Sequence, residues 1–237
     1  MNWDAVICDF DDTLVASYAE FLIAEEEFLA ALAGLGLPQG ESPAEPGVRD
    51  WLRQADIANV ERCGYLAPHC FPQALGQTYR HFAALAGREA DPAVAAALEQ
   101  IGWRVFDQQP RVLPEAGELL DWLQGRVRLF LLTQGDQAIQ QRRILGSGLA
   151  GYFERIIILR KKTPAAYQQL AAELGLDPAR CWMLGDSLKS DIAPALAVGL
   201  NAAYLKTDGW AYELALPAPG SYQTITSLSQ FKELIQG

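Results

Sequence analysis

Cysteine is scarce in this sequence, and its distribution gives no sign of cross-linking or metal binding. The 237 residues include four cysteines, Cys8, Cys63, Cys70 and Cys181, in unrelated contexts, with no CxxC motif and no Cys/His ligand spacing. Disulfide frameworks and zinc sites usually show such spacings. We therefore interpret these residues as reduced thiols in a cytoplasmic protein.

Long apolar runs and an excess of basic residues are also missing. No stretch reaches the roughly 20 apolar residues that span a membrane, and the initial MNWDAVICDFDD lacks the basic region of a signal peptide. The formal net charge is −10, whereas nucleic-acid and anionic-membrane binders use dense Lys/Arg surfaces. We expect a soluble cytoplasmic protein that binds neither nucleic acid nor membrane.

Apolar residues are plentiful overall and are concentrated in short runs. Half of the residues are hydrophobic, enough for a full core and a second lobe. Apolar runs lie at 5–8, 127–132, 156–159, 181–184 and 202–205, separated by helical patterns that begin at Pro114, Pro164 and Asp191. Continuous apolar strands are typical of parallel sheets with both faces covered. The predicted class is α/β, with a Rossmann-like core in which helices flank a parallel sheet.

The alternation of apolar runs with helical patterns is interrupted between residues 16 and 110. Helical patterns occupy 18–35, 47–60, 71–86 and 92–106, and 34–46 is a Gly/Pro-rich break. We predict that residues 1–15 and 111–237 form the α/β core and that residues 16–110 form an all-helical domain inserted after the first strand.

Polar residues follow the predicted strands directly. They are DFDDT at 9–13, TQGD at 133–136, RKKTP at 160–164 and GDSLKSD at 185–191. Ligands of open parallel sheets bind beyond the carboxyl ends of the strands, so these segments should meet. Each residue alone is more often an N-cap, a turn former or a solvated lysine. Their occurrence in order, each after a buried strand, favours a shared site.

The acids, threonine and lysines of these four segments predict metal-assisted phosphoryl chemistry. Clustered carboxylates repel one another, and Mg²⁺ is the hard cation that best fits oxygen ligands. With the metal bound, one Asp can attack phosphorus while a second carboxylate protonates the leaving oxygen and later activates water. A threonine and a lysine would hold the remaining phosphate oxygens.

The four segments resemble the motifs of the haloacid dehalogenase superfamily. Those motifs are DxDx[TV], a Ser/Thr after the second strand, a Lys before a helix, and an acidic pair of the GDxxxxD type. The resemblance covers the whole chain, because the helical insertion occupies the position of the family's C1 cap. It implies an Mg²⁺ cofactor and a small phosphorylated metabolite as partner, in a monomer or a homodimer, with specificity set by the cap.

The resemblance implies a role for each matching acid. Asp9 would be the nucleophile and a metal ligand, and Asp11 the general acid/base that also offers its backbone carbonyl to the metal. Asp186 would bind Mg²⁺. Asp191 would be either a further ligand or a residue that orients the metal's water or the lysine.

The phosphate-binding residues are implied in the same way. Thr133 would bind phosphate together with its neighbour Gln134, where many relatives have Asn or Ser. The motif lysine is either Lys161 or Lys162, and the pattern KTPxxY favours Lys162.

The second acid of the first motif decides between activities within the superfamily. Its dehalogenases lack this acid, and Asp11 is present here. The resemblance therefore implies the phosphoglycolate-phosphatase-like or β-phosphoglucomutase-like group, and an Mg²⁺-dependent phosphatase that forms an aspartyl phosphate. The alternatives are a phosphomutase with the same residues and a non-catalytic relative that binds a phosphorylated ligand.

Overall fold

The structure, a computed structural model, describes residues 3–37, 46–207 and 220–236. The chain divides into two compact units, with boundaries after Tyr18 and after Gln108. We call the inserted part, residues 19–108, the helical unit, and the remainder the α/β unit. The sequence placed the corresponding boundaries after residues 15 and 110.

The described residues form helices and strands that alternate in the α/β unit. In chain order they are β1 (Ala5–Cys8), β2 (Val15–Ala16), α1 (Tyr18–Gly34), α2 (Val48–Cys63), α3 (Cys70–Leu85), α4 (Pro92–Arg104), β3 (Arg111–Val112), α5 (Pro114–Leu123), β4 (Arg128–Gln134), α6 (Gln137–Ser147), β5 (Arg155–Leu159), α7 (Pro164–Leu174), β6 (Cys181–Gly185), α8 (Ala193–Ala197), β7 (Asn201–Leu205), β8 (Gln223–Ile225) and α9 (Leu228–Gln236). None of these helices is long and apolar enough to cross a membrane.

A parallel sheet forms the centre of the α/β unit. Within the described residues its strand order is β5-β4-β1-β6-β7-β8, and every neighbouring pair is parallel. The predicted α/β class with a parallel sheet is confirmed. β1 lies between β4 and β6, so the residue that follows β1 emerges near the middle of the sheet.

The apolar strands contact helices on both faces of the sheet. In β1, Val6 and Cys8 pack in a cluster with α5 and α9, whereas Ala5 and Ile7 pack in a cluster with α7. Successive side chains of a strand point to opposite faces, so a strand covered on both sides must be apolar at every position. This explains why β1 appears in the sequence as an uninterrupted apolar run.

A short antiparallel pair lies where the chain leaves and re-enters the α/β unit. Val15 of β2 pairs with Val112 of β3. The preceding turn places Asp12 in the left-handed region, at φ 54°. Its carboxylate accepts hydrogen bonds from the backbone N–H groups of Ser17, at 2.8 Å, and Tyr18, at 2.9 Å. Asp12 therefore fixes the path of the chain between β1 and α1.

The helical unit contains α1 to α4 around an apolar core of its own. Phe28, Leu52, Leu75 and Leu98 belong to this core, each from a different helix. These helices correspond to the four stretches that the sequence predicted, with ends that differ by a few residues. Of the predicted break at 34–46, residues 38–45 lie outside the described part of the chain.

The helix after β6 begins earlier than the sequence predicted. We expected Asp191 to lead it, but a π-helical turn, Leu188–Ile192, precedes α8. Ser187 is its N-cap, and the Ser187 hydroxyl accepts a hydrogen bond from the N–H of Ser190 at 2.8 Å. The capping side chain explains the earlier start. Asp191 consequently lies inside the turn, against Gly185 at the end of β6.

Candidate active site

The polar residues that follow the central strands converge at the carboxyl edge of the sheet. Asp9 follows β1, Thr133 lies near the end of β4, Lys162 lies between β5 and α7, and Asp186 follows β6. Ligands of α/β sheets bind at this edge, beside the strand where the chain connections change direction. The strand order, with β1 between β4 and β6, places that switch at Asp9.

Lys162 connects two buried carboxylates. Its Nζ lies 2.5 Å from Oδ1 of Asp9 and 2.6 Å from Oδ1 of Asp191. Burial acts to lower the pKa of Lys162, but the charges of Asp191 and Asp9 outweigh it and hold the pKa well above its usual value. Lys161 is exposed. The structure therefore brings Lys162, rather than Lys161, to the acidic residues.

Asp9 is buried among other acids. Its Oδ2 accepts a hydrogen bond from the Thr13 hydroxyl at 3.2 Å. Burial raises the pKa of Asp9 to about 8; Lys162 opposes this effect, and the negative charges of Asp191 and Asp11 add to it. A nucleophilic carboxylate must be ionised, so this residue needs a further positive charge close by.

Three carboxylates lie close enough together to bind a cation. They belong to Asp9, Asp186 and Asp191, which we call the acidic cluster. One carboxylate oxygen from each lies within 4.8 Å of the others. Burial, and then the charges of Asp9 and Asp191, raise the pKa of Asp186 well above its usual value. The single ammonium charge of Lys162 does not balance three carboxylates. A hard divalent ion with oxygen ligands would do so, and the residues present fit Mg²⁺.

Asp191 has both carboxylate oxygens engaged by the protein. Oδ1 pairs with Lys162, and Oδ2 accepts a hydrogen bond from the backbone N–H of Ser187 at 3.1 Å. The side chain packs against Gly185, where a Cβ atom would overlap the carboxylate. Glycine at the end of β6 therefore makes room for Asp191, and Asp191 orients Lys162.

Asp11 is held by residues that the sequence analysis missed. Arg143 lies 2.6 Å from its Oδ1, Gln140 donates to its Oδ2 at 2.6 Å, and the Ser17 hydroxyl also donates to Oδ1. Burial acts to raise the pKa of Asp11, but the Arg143 charge and these hydrogen bonds outweigh it and lower the pKa. In this arrangement Asp11 is ionised and can accept a proton.

Gln140 also contacts the predicted phosphate-binding threonine. Its Nε2 lies 2.7 Å from Oγ1 of Thr133, and its Oε1 accepts a hydrogen bond from Arg143 at 2.8 Å. Gln140 and Arg143 are three residues apart on α6 and so share a helix face. That spacing, directly after the predicted Thr133 segment, is the signal that could have identified them from the sequence.

Gln134 contacts the loop between β5 and α7 that carries Lys162. Its Oε1 accepts a hydrogen bond from the backbone N–H of Lys162 at 3.0 Å. This contact ties the end of β4 to the segment that carries the lysine. Phosphate binding by Gln134 stays a prediction.

Comparison with known proteins identifies the family of this chain. The family model of haloacid dehalogenase-like hydrolases matches residues 3–199. The N-acylneuraminate-9-phosphatase of Rattus norvegicus is 30% identical over 141 residues, which are 56% of this chain and 56% of that protein. The pyrimidine 5'-nucleotidase YjjG of Escherichia coli (strain K12) is 30% identical over 99 residues, 39% of this chain and 44% of that protein. The matches thus span about half the length of these curated relatives.

A solved structure gives the same assignment of fold. The haloacid dehalogenase-like family hydrolase from Xanthomonas campestris superimposes with a TM-score of 0.76 and 23% identity, over 99% of this chain and 95% of that one. The agreement extends over both the α/β unit and the helical unit. The chain belongs to the haloacid dehalogenase-like hydrolase family.

Proposed function

We propose that this protein is an Mg²⁺-dependent phosphatase that hydrolyses a small phosphorylated metabolite through an aspartyl-phosphate intermediate. The observation that carries the proposal is the placement of Asp9 at the centre of the sheet edge, paired with Lys162 and within the acidic cluster. The two curated relatives described above, by their names a phosphatase and a nucleotidase, support the same class of reaction.

Asp9 supplies the nucleophile in this proposal. A carboxylate oxygen of Asp9 forms a bond to phosphorus while the bond from phosphorus to the leaving oxygen breaks. The ammonium group of Lys162 then faces the reacting carboxylate and the phosphoryl oxygens, and the Thr133 hydroxyl donates to one of those oxygens. Water attacks the acyl phosphate in the second step, which releases phosphate and restores Asp9.

The residues that would hold Mg²⁺ are Asp9, Asp186 and the backbone carbonyl of Asp11. Asp191 orients Lys162 in this assignment, because both of its oxygens are already engaged. Bound Mg²⁺ would neutralise charge on the carboxylates and on the phosphoryl group, so that an ionised Asp9 can approach an anionic substrate.

Asp11 transfers the protons in both steps. Its lowered pKa suits the second step, in which it takes a proton from the attacking water. In the first step it must give a proton to the leaving oxygen. We propose that the substrate phosphate, an anion, draws Arg143 away from Asp11, so that Asp11 takes up a proton from solvent and then gives it to the leaving oxygen.

We further propose that the helical unit is the family's cap domain and determines substrate choice. Its position in the chain, between β1 and β4, supports this assignment.

The test is phosphate release from a panel of sugar phosphates, nucleoside monophosphates and phosphorylated amino acids, with and without Mg²⁺. We expect metal-dependent release by the wild type and none by Asp9→Asn. Asp136→Asn is the matched control, because Asp136 also follows a central strand but caps α6, a role that Asn fills equally well. Release that persists in Asp9→Asn, or a folded wild type that releases no phosphate from any compound, would refute the proposal.

A further inference from the structure

The helical unit brings two cysteines and a histidine close together. Cys63 ends α2, His69 precedes α3 and Cys70 begins it. Sγ of Cys63 lies 3.4 Å from Nε2 of His69 and 3.6 Å from Sγ of Cys70. The expectation that the cysteines occupy unrelated contexts is wrong for this pair, because the packing of α2 against α3 brings the two helix ends together.

The backbone around these three residues is well fixed. Gly64 ends α2 in the left-handed conformation, at φ 76°, which turns the chain back towards α3. The buried side chain of Asn59, one turn before Cys63, donates to the backbone carbonyl of Cys70 at 3.0 Å. The cysteines therefore lie on helix ends that are hydrogen-bonded to each other, which is the kind of support that a preformed site requires.

The distances match those between ligands of a tetrahedral metal ion. All three ligand atoms of Cys63, His69 and Cys70 lie within 4.8 Å of one another. Two sulfurs that each lie about 2.3 Å from a tetrahedral Zn²⁺ are about 3.8 Å apart. The observed sulfur–sulfur distance of 3.6 Å is close to that value, and a disulfide would require about 2.05 Å.

Asp56 is a buried acid on the same helix as Cys63. Asp56 lies two turns before Cys63 on α2, on the same face as Asn59, and is only 7% exposed. Its Oδ1 has no hydrogen-bond partner among the residues that the structure describes. A buried carboxylate oxygen without a partner is costly unless a compensating group is near.

We propose that Cys63, His69 and Cys70 form a Zn²⁺ site in the helical unit. Two thiolates and an imidazole are the ligand types that Zn²⁺ prefers, whereas the acidic cluster offers only oxygen. Binding releases the two thiol protons to solvent, and the two thiolates balance the charge of the ion. Cys63 and His69 are partly exposed and give the ion a route from solvent. The ion would tie the end of α2 to the beginning of α3.

The experiment uses Co²⁺ as a spectroscopic substitute for Zn²⁺ in the reduced, full-length protein. Thiolate-bound Co²⁺ gives sulfur-to-metal charge-transfer absorption, which the oxygen ligands of the acidic cluster cannot produce. We expect this absorption to saturate at one equivalent of Co²⁺ and to disappear when one equivalent of Zn²⁺ is added. It should be lost in Cys63→Ser and in His69→Ala, both changes at partly exposed positions.

Two controls separate this site from the rest of the molecule. Cys181→Ser removes a cysteine outside the cluster, where a serine hydroxyl can keep the hydrogen bond that the thiol donates to the carbonyl of Asp177. Asp9→Asn alters the acidic cluster. Both variants should retain the full absorption. The result is independent of phosphatase activity, so it stands or falls separately from the proposed function.

A thiol-reactivity measurement provides a second readout. Zn²⁺ should protect Cys63, the partly exposed thiol of the site, from a thiol reagent in the wild type, and His69→Ala should lose that protection. The proposal is overturned if the reduced, folded wild type shows no charge-transfer absorption, if Cys63→Ser shows the same absorption as the wild type, or if Zn²⁺ protects no thiol.

Discussion

Replacing Lys162 by methionine tests how strongly the buried charges of the site depend on one another. The change keeps most of the side-chain volume but removes the ammonium group that lies 2.5 Å from Asp9 and 2.6 Å from Asp191. Removing one partner of a buried ion pair costs about 3–5 kcal/mol. Because the pKa of Asp9 is raised to about 8, this carboxylate is mostly protonated at pH 7. The remaining uncompensated charge belongs mainly to Asp191, so we expect a loss of about 3 kcal/mol, at the lower end of that range.

The assay is urea unfolding at pH 7 in the presence of a chelator, so that no metal replaces the missing charge. Lys161→Met is the matched control, and its exposed position predicts an unchanged free energy of unfolding. Asp191→Asn in the Lys162→Met background should restore part of the lost stability, with a coupling energy of at least about 1 kcal/mol in the double-mutant cycle. Equal stabilities of the Lys162→Met and Lys161→Met variants, or a coupling energy of zero, would refute the reasoning.

Three further predictions concern other residues. Gly185→Ala should lower the free energy of unfolding in urea by about 1–3 kcal/mol, because the added Cβ overlaps the carboxylate of Asp191. An unchanged free energy of unfolding would show that Asp191 can move freely. Gln140→Ala should reduce kcat/KM for phosphate release about tenfold or more, since Asp11 loses a buried hydrogen-bond donor; an unchanged value would contradict that contact. Burial raises the pKa of Asp56 to about 7, above its value in the unfolded chain. The free energy of unfolding of the metal-free protein should therefore fall as the pH rises from about 4 through 7, by about 4 kcal/mol at most. Urea unfolding should show a larger fall in the free energy of unfolding from pH 5 to pH 8 in the wild type than in Asp56→Asn, where Asp9 and Asp186 still contribute to the fall. An equal fall in the two proteins would exclude a buried, titrating Asp56.

The sequence predicted those parts of the fold and site that depend on local pattern. The apolar runs identified the central strands because each strand is covered on both faces. Asp9 and Asp186 were correctly placed at the ends of strands because each follows such a run directly. The helices of the inserted unit were found because their apolar and polar residues recur with helical spacing. These features can be recognised within a few residues of sequence.

The features that the sequence did not predict depend on contacts between distant segments. The pair β2–β3 is two residues long in each strand, too short to show a pattern. The three-residue spacing of Gln140 and Arg143 shows that they share a helix face, but not that this face of α6 lies beside Asp11. Lys161 and Lys162 are chemically identical, and the path of the loop after β5 alone decides which of them is buried.

The strand order has a consequence for how the molecule assembles. The helical unit is one continuous segment, and its helices pack mainly against helices adjacent in sequence, so its core can form through local contacts. β1, in contrast, pairs with β4 and with β6, and Cys8 lies opposite Leu184. Pairings at long sequence separation form slowly, because the entropy of closing the intervening chain into a loop opposes them. We therefore expect the residues beside Asp9 to come together late in folding, after the helical unit has had the opportunity to form.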